Sequence, residues 1–93
     1  MSFTIPGDVD PDKFMPWIND ISQVQGPNIL RSKGILAFKD EPRRFVFQGV
    51  HMILDGDLQR DWKDGETRES RLVFIGRDLN ENELRKGFEA CTA

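Results

Sequence analysis

The order of apolar and polar residues in the first third of the chain predicts a strand followed by a helix. Residues 2–7, SFTIPG, alternate in polarity and end at a proline and a glycine, which is typical of a short strand. Asp10 and Pro11 resemble a helix N-cap followed by proline at the first helical position. Apolar residues then recur at spacings of three and four, as on one face of a helix ending before Gly26: Phe14, Trp17, Ile18, Ile21 and Val24. Because Pro16 lacks a backbone donor, we expect a kink there or a later start of regular helix.

The middle of the chain contains three segments with the pattern of strands. Residues 28–38 and 43–54 are predicted as the second and third strands, and the nearly continuous apolar run 70–76 as a central fourth strand. In the second strand, one face is expected to carry Leu30, Leu36 and Phe38, and the other Arg31, Lys33 and Lys39. The polar residues 55–69 predict an irregular connection around Trp62.

The last predicted element is a helix that starts after Asn80. Asn80 is a good N-cap and Glu83 completes a box-like arrangement, while Leu84, Phe88 and Cys91 form one apolar face. The resulting order is β-α-β-β-β-α in a single domain over residues 1–93. We therefore predict an α+β two-layer sandwich, with a four-stranded, mostly antiparallel sheet and both helices on one of its faces.

Charge and composition exclude some classes of partner. The formal net charge of −3 and the acidic pI of about 5.1 argue against nucleic acid, which requires a basic surface. There is no apolar run of about 18 residues, so we expect no membrane span. Cys91 is the single cysteine, which fits a reducing compartment and leads us to expect a cytoplasmic protein.

His51 is the only histidine and lies in RRFVFQGVHMIL, residues 43–54. Strict alternation puts it on the same strand face as Phe45 and Phe47, where histidines are usually neutral and hydrogen-bonded. The alternative is a metal site in which His51 acts with carboxylates such as Asp55 and Asp57. No second histidine or nearby cysteine completes a tetrahedral set, so we favour a packing or interface role.

No catalytic motif is present: the sequence contains neither a phosphate-binding P-loop nor CxxC, HExxH or GxSxG. The cations Lys33, Arg68, Arg71 and Arg77 lie at or near predicted strands. They are interpreted either as ordinary solvated charges or as a docking surface for an anionic partner. Trp62 is expected to anchor its loop to the sheet, the alternative being exposure for a partner.

Four segments in this order carry a resemblance to a known family: ILRSKGIL, FVFQGVH, a tryptophan followed by GETRESRLVFIGRDL, and LRKGFEAC. Together they resemble the C-terminal domain of the CobW family, and the overall match covers most of the chain, from about residue 3 to residue 91. That family includes the cobalamin-biosynthesis protein CobW and P-loop GTPases that act as zinc or other metal chaperones. The resemblance implies that the chain is a domain taken from a longer GTPase, whose N-terminal GTPase domain is absent here.

The resemblance also implies a function. It indicates a non-catalytic regulatory domain that docks on its own GTPase domain and on a client metalloprotein, a cobaltochelatase-like partner or another subunit. The parent protein would use GTP, Mg²⁺ and Zn²⁺ or Co²⁺, with no cofactor in this domain. The interaction candidates are Lys33, Gln48, His51, Trp62, Arg68, Arg71 and Arg77. Many family members have histidine-rich stretches that this chain lacks, yet a metal-binding or metal-sensing domain using His51 remains the alternative function.

We predict that the chain folds without GTP or metal, because its strands and two amphipathic helices supply their own core to offset chain entropy. Thermal unfolding followed by circular dichroism should be cooperative in the presence of a strong chelator. Loss of structure on chelation would contradict the packing interpretation of His51.

Overall fold

The computed structural model describes residues 1–25, 27–50 and 53–93. These ranges contain two helices and one five-stranded antiparallel sheet with the strand order β1-β5-β2-β3-β4. The elements are β1 Ser2–Pro6, α1 Pro11–Val24, β2 Ile29–Leu36, β3 Arg43–Val50, β4 Ile53–Asp61, β5 Glu69–Gly76 and α2 Glu81–Glu89. The α+β class is therefore confirmed, but the order is β-α-β-β-β-β-α and the predicted number of strands is one too few.

The missed strand is β4. Residues 43–54 are not one strand, because β3 and β4 pair antiparallel with Val50 opposite Ile53. Residues 55–61, predicted as irregular, continue β4 at the edge of the sheet. Edge strands often carry charged residues, which makes them resemble loops in sequence. In addition, Gly56 lies opposite Phe47 on the side facing the core, and a Cβ there would overlap the Phe45 ring. A glycine thus replaces the apolar residue that alternation would require.

The prediction that Leu30 and Leu36 share one face of β2 is wrong, because Leu36 is buried whereas Leu30 is 38% exposed. The cause is a shift in the pairing register with β5 between Ile29 and Arg31. A one-residue shift moves side chains to the opposite face of a sheet. Ile29 consequently takes the buried position.

Helix α1 starts where its cap predicts. The Asp10 carboxylate accepts a hydrogen bond of 2.9 Å from the Asp12 backbone N–H, and the helix begins at Pro11. The later start considered for Pro16 is wrong, because the helix is continuous through that residue. Pro16 takes the intrahelical donor away from the carbonyl of Asp12, and both residues are exposed. Val24, placed in the apolar stripe by its spacing, is 70% exposed.

Helix α2 begins as predicted. The Asn80 side chain accepts a hydrogen bond of 3.1 Å from the Glu83 backbone N–H, which stabilises the first turn. Leu84 and Phe88 on its apolar face are buried, and so is Cys91 just beyond the helix.

Both helices pack on the same face of the sheet, and Phe14 of α1 lies at the centre of that packing. Its ring centroid is 5.7 Å from that of Phe47 in β3, 6.0 Å from Phe38 after β2 and 6.3 Å from Phe88 in α2. Phe14 therefore connects the two helices with the sheet. No described element covers the opposite face of the sheet, so the fold has one core and one open side.

The two helices approach closely at Gly87. The Trp17 ring of α1 stacks on Phe88 of α2 with centroids 6.1 Å apart. A Cβ at Gly87 would lie 2.7 Å from Cε2 of Trp17 and closer still to its Nε1. The indole is rigid and contacts both Phe14 and Phe88, so its movement away from Gly87 is restricted.

We predict that Gly87→Ala destabilises the chain by roughly 1 kcal/mol or more. Alanine gains about 1 kcal/mol of helix propensity over glycine, but overpacking a core contact costs about 1–3 kcal/mol. In a Trp17→Leu background the clash is removed, so the same substitution should stabilise. Urea unfolding of wild type, Gly87→Ala, Trp17→Leu and the double variant measures the free energy of unfolding and so tests this change of sign. Asn82→Ala, at an exposed position of α2, is the control for helix propensity alone. Equal effects of Gly87→Ala in both backgrounds would contradict the proposed contact.

Candidate docking surface on the sheet

The side of the sheet away from the helices, here called the open face, is ordered in three rows that cross four strands. Cross-strand partners in antiparallel strands point to the same face, so the register defines each row. From β5 through β2 and β3 to β4, the first row is Ile75, Arg31, Val50 and Ile53, the second Val73, Lys33, Gln48 and Asp55, and the third Arg71, Ile35, Val46 and Asp57.

The first row is mainly apolar and exposed. Val50, Ile53 and Ile75 are 52%, 77% and 53% exposed, respectively. Single exposed aliphatic residues are common, but here Val50 and Ile53 are direct cross-strand neighbours and Ile75 lies in the same row beyond Arg31. Exposed aliphatic residues grouped in this way form a patch of the kind found at interaction sites. This row is the most apolar exposed part of the open face.

The second and third rows separate charge across the sheet. Arg71 and Lys33 lie on the β5 and β2 side, whereas Asp55 and Asp57 lie on the β4 side. Arg71 forms an exposed ion pair with Glu69 at 3.0 Å. Lys33 forms no ion pair with any residue that the structure describes. In these two rows the β5 and β2 side is therefore basic and the β4 side acidic, with the charge of Arg71 partly balanced by Glu69.

The interaction candidates predicted from sequence are only partly brought together. Lys33, Gln48 and Arg71 all lie on the open face, with Lys33 directly opposite Gln48. Arg77 follows the end of β5, where its backbone N–H donates to the Asn28 carbonyl at 2.9 Å. His51, the candidate for which packing and metal binding were weighed, lies outside the described residues.

Trp62 and Arg68 form a cluster at one end of the open face, where Trp62 lines a cavity together with Ile35 and Arg71 of the third row. The Trp62 ring lies between two guanidinium groups, with Cζ of Arg44 5.7 Å and Cζ of Arg68 5.6 Å from the ring centroid. Arg68 also donates to the Asp8 carboxylate and to the Phe38 carbonyl, both at 2.9 Å. Trp62 is half-buried and packs within the domain, and Arg68 connects three segments of the chain. These contacts hold both side chains within the domain, but the buried Nε1–H of Trp62 has no hydrogen-bond partner among the described residues.

Glu66 holds the turn that follows Trp62, an arrangement that the sequence reasoning missed. Its carboxylate accepts two hydrogen bonds of 3.0 Å from the Arg60 guanidinium and one of 2.9 Å from the Lys63 backbone N–H. The Arg60 hydrogen bonds, followed by that from Lys63, lower the pKa of Glu66 to about 2. Arg60 lies near the end of β4 and Glu66 in the connection that follows, so the periodicity of a single helix or strand does not predict this pair.

Comparison with known proteins places the chain in a family. The model of the cobalamin synthesis protein cobW C-terminal domain matches residues 1–92. The chain belongs to the CobW C-terminal domain family. The zinc chaperone YjiA of Escherichia coli is 45% identical over 60 residues, which cover 64% of this chain and 19% of YjiA. The zinc chaperone CobW of Pseudomonas aeruginosa is 39% identical over 66 residues, which cover 67% of this chain and 18% of that protein.

Solved structures agree with this assignment. The zinc-bound YjiA GTPase of E. coli and a zinc-bound triple mutant of it each superpose on the whole chain with a TM-score of 0.94 and 31% identity. The match covers 29% of the YjiA chain, so this CobW C-terminal domain spans under a third of the relatives that it resembles.

The CobW C-terminal domain shows no preassembled metal centre among residues 1–25, 27–50 and 53–93. No group of three or more potential metal ligands occurs there. Asp55 and Asp57, the partners suggested for a histidine-based site, are exposed on β4. Cys91 is buried, its thiol donates to the Gly87 carbonyl at 3.3 Å, and burial raises the pKa of that thiol. A thiol kept protonated in this way is a poor nucleophile and a poor ligand. No helix in the described ranges is long and apolar enough to cross a membrane.

We predict that the turn after Trp62 loosens in acid through Glu66. Folding lowers the pKa of the Glu66 carboxyl from its ordinary value of 4.5 to about 2. The ionised carboxylate therefore stabilises the folded state fully at a pH above 4.5, and this stabilisation is lost as the pH falls towards 2. Glu66→Gln should therefore weaken the turn at neutral pH and reduce its change between pH 5 and 2. Quenching of Trp62 fluorescence in a Trp17→Phe background reports on the turn, with Asp64→Asn as the neighbouring control. An identical acid transition in wild type and Glu66→Gln would contradict the assignment.

Proposed function

We propose that this chain is the non-catalytic regulatory and interaction domain of a CobW-type GTP-dependent metal chaperone. It would dock on its own GTPase domain and on a client metalloprotein or another subunit. The observation that carries this proposal is the open face, where Val50, Ile53 and Ile75 are exposed beside a basic and an acidic half. Such a surface on a domain with a complete core is suited to binding a macromolecule.

The relatives support a protein in which this domain docks while another part binds GTP and metal. They are described as zinc chaperones and as a GTPase, and this chain matches only 18–29% of the length of the relatives described above. We therefore assign GTP, Mg²⁺ and the transported Zn²⁺ or Co²⁺ to the remainder of such a protein. The sequence motif for phosphate binding is absent from these 93 residues.

The mechanism would be a change in docking rather than a chemical step. A domain can transmit the nucleotide state only if its contacts with the GTPase domain differ in free energy between the GTP-bound and nucleotide-free forms. A typical coupling of about 1–3 kcal/mol corresponds to a change of about 5–150-fold in affinity. By reciprocity, the presence of this domain must change GTP affinity by the same factor.

A chimera tests this role. The C-terminal part of E. coli YjiA that matches this chain is replaced by residues 1–93, and GTP affinity is compared among full-length YjiA, YjiA lacking that part, and the chimera. We expect the deletion to change GTP affinity by about 5-fold or more and the chimera to restore it. Val24→Ser in the chimera is the control, because Val24 is exposed at the end of α1, away from the open face. Equal GTP affinities in all three proteins would contradict the regulatory role.

The alternative function is metal sensing by His51 with Asp55 and Asp57. Calorimetric titration of the 93-residue chain with Zn²⁺ or Co²⁺ separates the two proposals. A stoichiometric site that disappears in His51→Ala would favour the metal-sensing function.

A further inference from the structure

The open face is complementary to itself. We propose that it binds the open face of a second copy of this chain, about a two-fold axis that runs along the strands between β2 and β3. This inference rests on the docking role proposed above and names one partner for it. It is carried by the order of side chains in the three rows.

The direction of the axis determines which strands meet. When two sheets face each other about an axis parallel to the strands, each row stays opposite the same row, while the strands exchange sides. Strand β5 then lies over β4 of the second copy, and β2 lies over its β3. The native twist of sheets rotates two such faces by about 30° without changing these neighbours.

The first row supplies the apolar contact of this pair. Ile75 of one copy lies over Ile53 of the other, and Val50 lies over the aliphatic part of Arg31. The two-fold axis repeats both contacts, so the exposed aliphatic side chains of both copies become covered together. An isologous contact of this kind uses the same patch on both copies and closes as a dimer.

The third row supplies the most direct charge complementarity. Arg71 of each copy lies over Asp57 of the other. Between these two Arg71–Asp57 pairs, Ile35 of each copy lies over Val46 of the other. In the second row, the long Lys33 side chain reaches Gln48 and the adjacent Asp55 of the second copy. The existing Arg71–Glu69 pair is exposed, and exposed ion pairs contribute little stability, so it does not oppose the new contact strongly.

Other arrangements of two copies are disfavoured by the same charges. A face-to-face axis perpendicular to the strands would place the basic half on the basic half and the acidic half on the acidic half. Edge-to-edge pairing of two β4 strands centred on Asp57 would place that carboxylate opposite its own copy and Ile53 opposite Asp61. Like charges directly opposite each other destabilise a strand pair. The axis along the strands is the arrangement that brings opposite charges together.

The size of the face predicts a weak dimer. Four strands about 4.8 Å apart and three rows about 6.8 Å apart cover a projected area of about 400 Å². Stable complexes bury about 800 Å² per partner, so the pair should be reversible and sensitive to salt. Charge then contributes mainly orientation and encounter rate.

Sedimentation velocity of two charge variants, alone and mixed, tests the arrangement at high protein concentration and low salt. In the acidic variant, Lys33→Glu and Arg71→Glu make both halves of the face negative, and in the basic variant Asp55→Lys and Asp57→Lys make both halves positive. Each variant alone should be monomeric, whereas an equimolar mixture should associate at least as strongly as wild type. Circular dichroism of each variant alone shows whether it remains folded.

A control variant distinguishes an effect of charges on the open face from an effect of net charge. Lys39→Glu with Lys86→Glu changes net charge by the same amount as the acidic variant, but at exposed positions outside the open face. It should retain most of the wild-type association. Self-association of the acidic variant at the wild-type level, or absence of association in the mixture, would overturn the proposal.

Two outcomes distinguish this inference from the docking role itself. If the chain stays monomeric, but the acidic charge changes in the YjiA chimera abolish the restored GTP affinity, the open face binds the GTPase domain and self-pairing is wrong. If the chain associates as predicted while the chimera has no effect on GTP affinity, the regulatory role fails and the self-pairing surface stands.

Discussion

The packing of Phe14 against Phe38, Phe47 and Phe88 is the constraint on which the rest of the fold depends. This one ring contacts the sheet and the second helix at the same time, and it is only 1% exposed. A chain of 93 residues has enough apolar surface for one such core. Because both helices are used to cover one face of the sheet, no described element remains for the other. The open face is therefore a consequence of how the core is built.

The central strand β2 illustrates how the two faces depend on each other. On the core side it presents Ser32 and Gly34, both buried, and a Cβ at Gly34 would lie 2.5 Å from the Phe47 ring. Small residues let the aromatic side chains approach the backbone. On the opposite side the same strand presents Arg31 and Lys33, whose long side chains extend into solvent. Strand alternation thus places a tightly packed surface and a charged surface within a few residues of each other.

The chain belongs to the CobW C-terminal domain family, and this agrees with a fold that has a packed face and an open face but no catalytic motif. The relatives combine such a domain with a much larger remainder, and their descriptions attach zinc and GTP hydrolysis to the whole protein. In this chain, the features that stand out are surfaces instead of ligand sets: the open face, and the Trp62 cluster in which Arg44 and Arg68 hold the indole within the domain. The proposed docking role is assigned to the open face, because Trp62 and Arg68 already make contacts within the domain.

Local interactions were readable from the sequence alone. The caps at Asp10 and Asn80 each bond a backbone N–H within three residues, so a short motif determines both helix starts. The resemblance to the CobW C-terminal domain was also evident from ordered sequence segments. Two features depend on the tertiary structure. The existence of β4 is hidden in the sequence because Gly56 interrupts its apolar alternation, and the exposure of Leu30 follows from a register shift between β2 and β5. The tertiary structure also decided the three rows of the open face, since they join strands about forty residues apart. Pairing register is determined by packing across the whole sheet, and no local pattern contains that information.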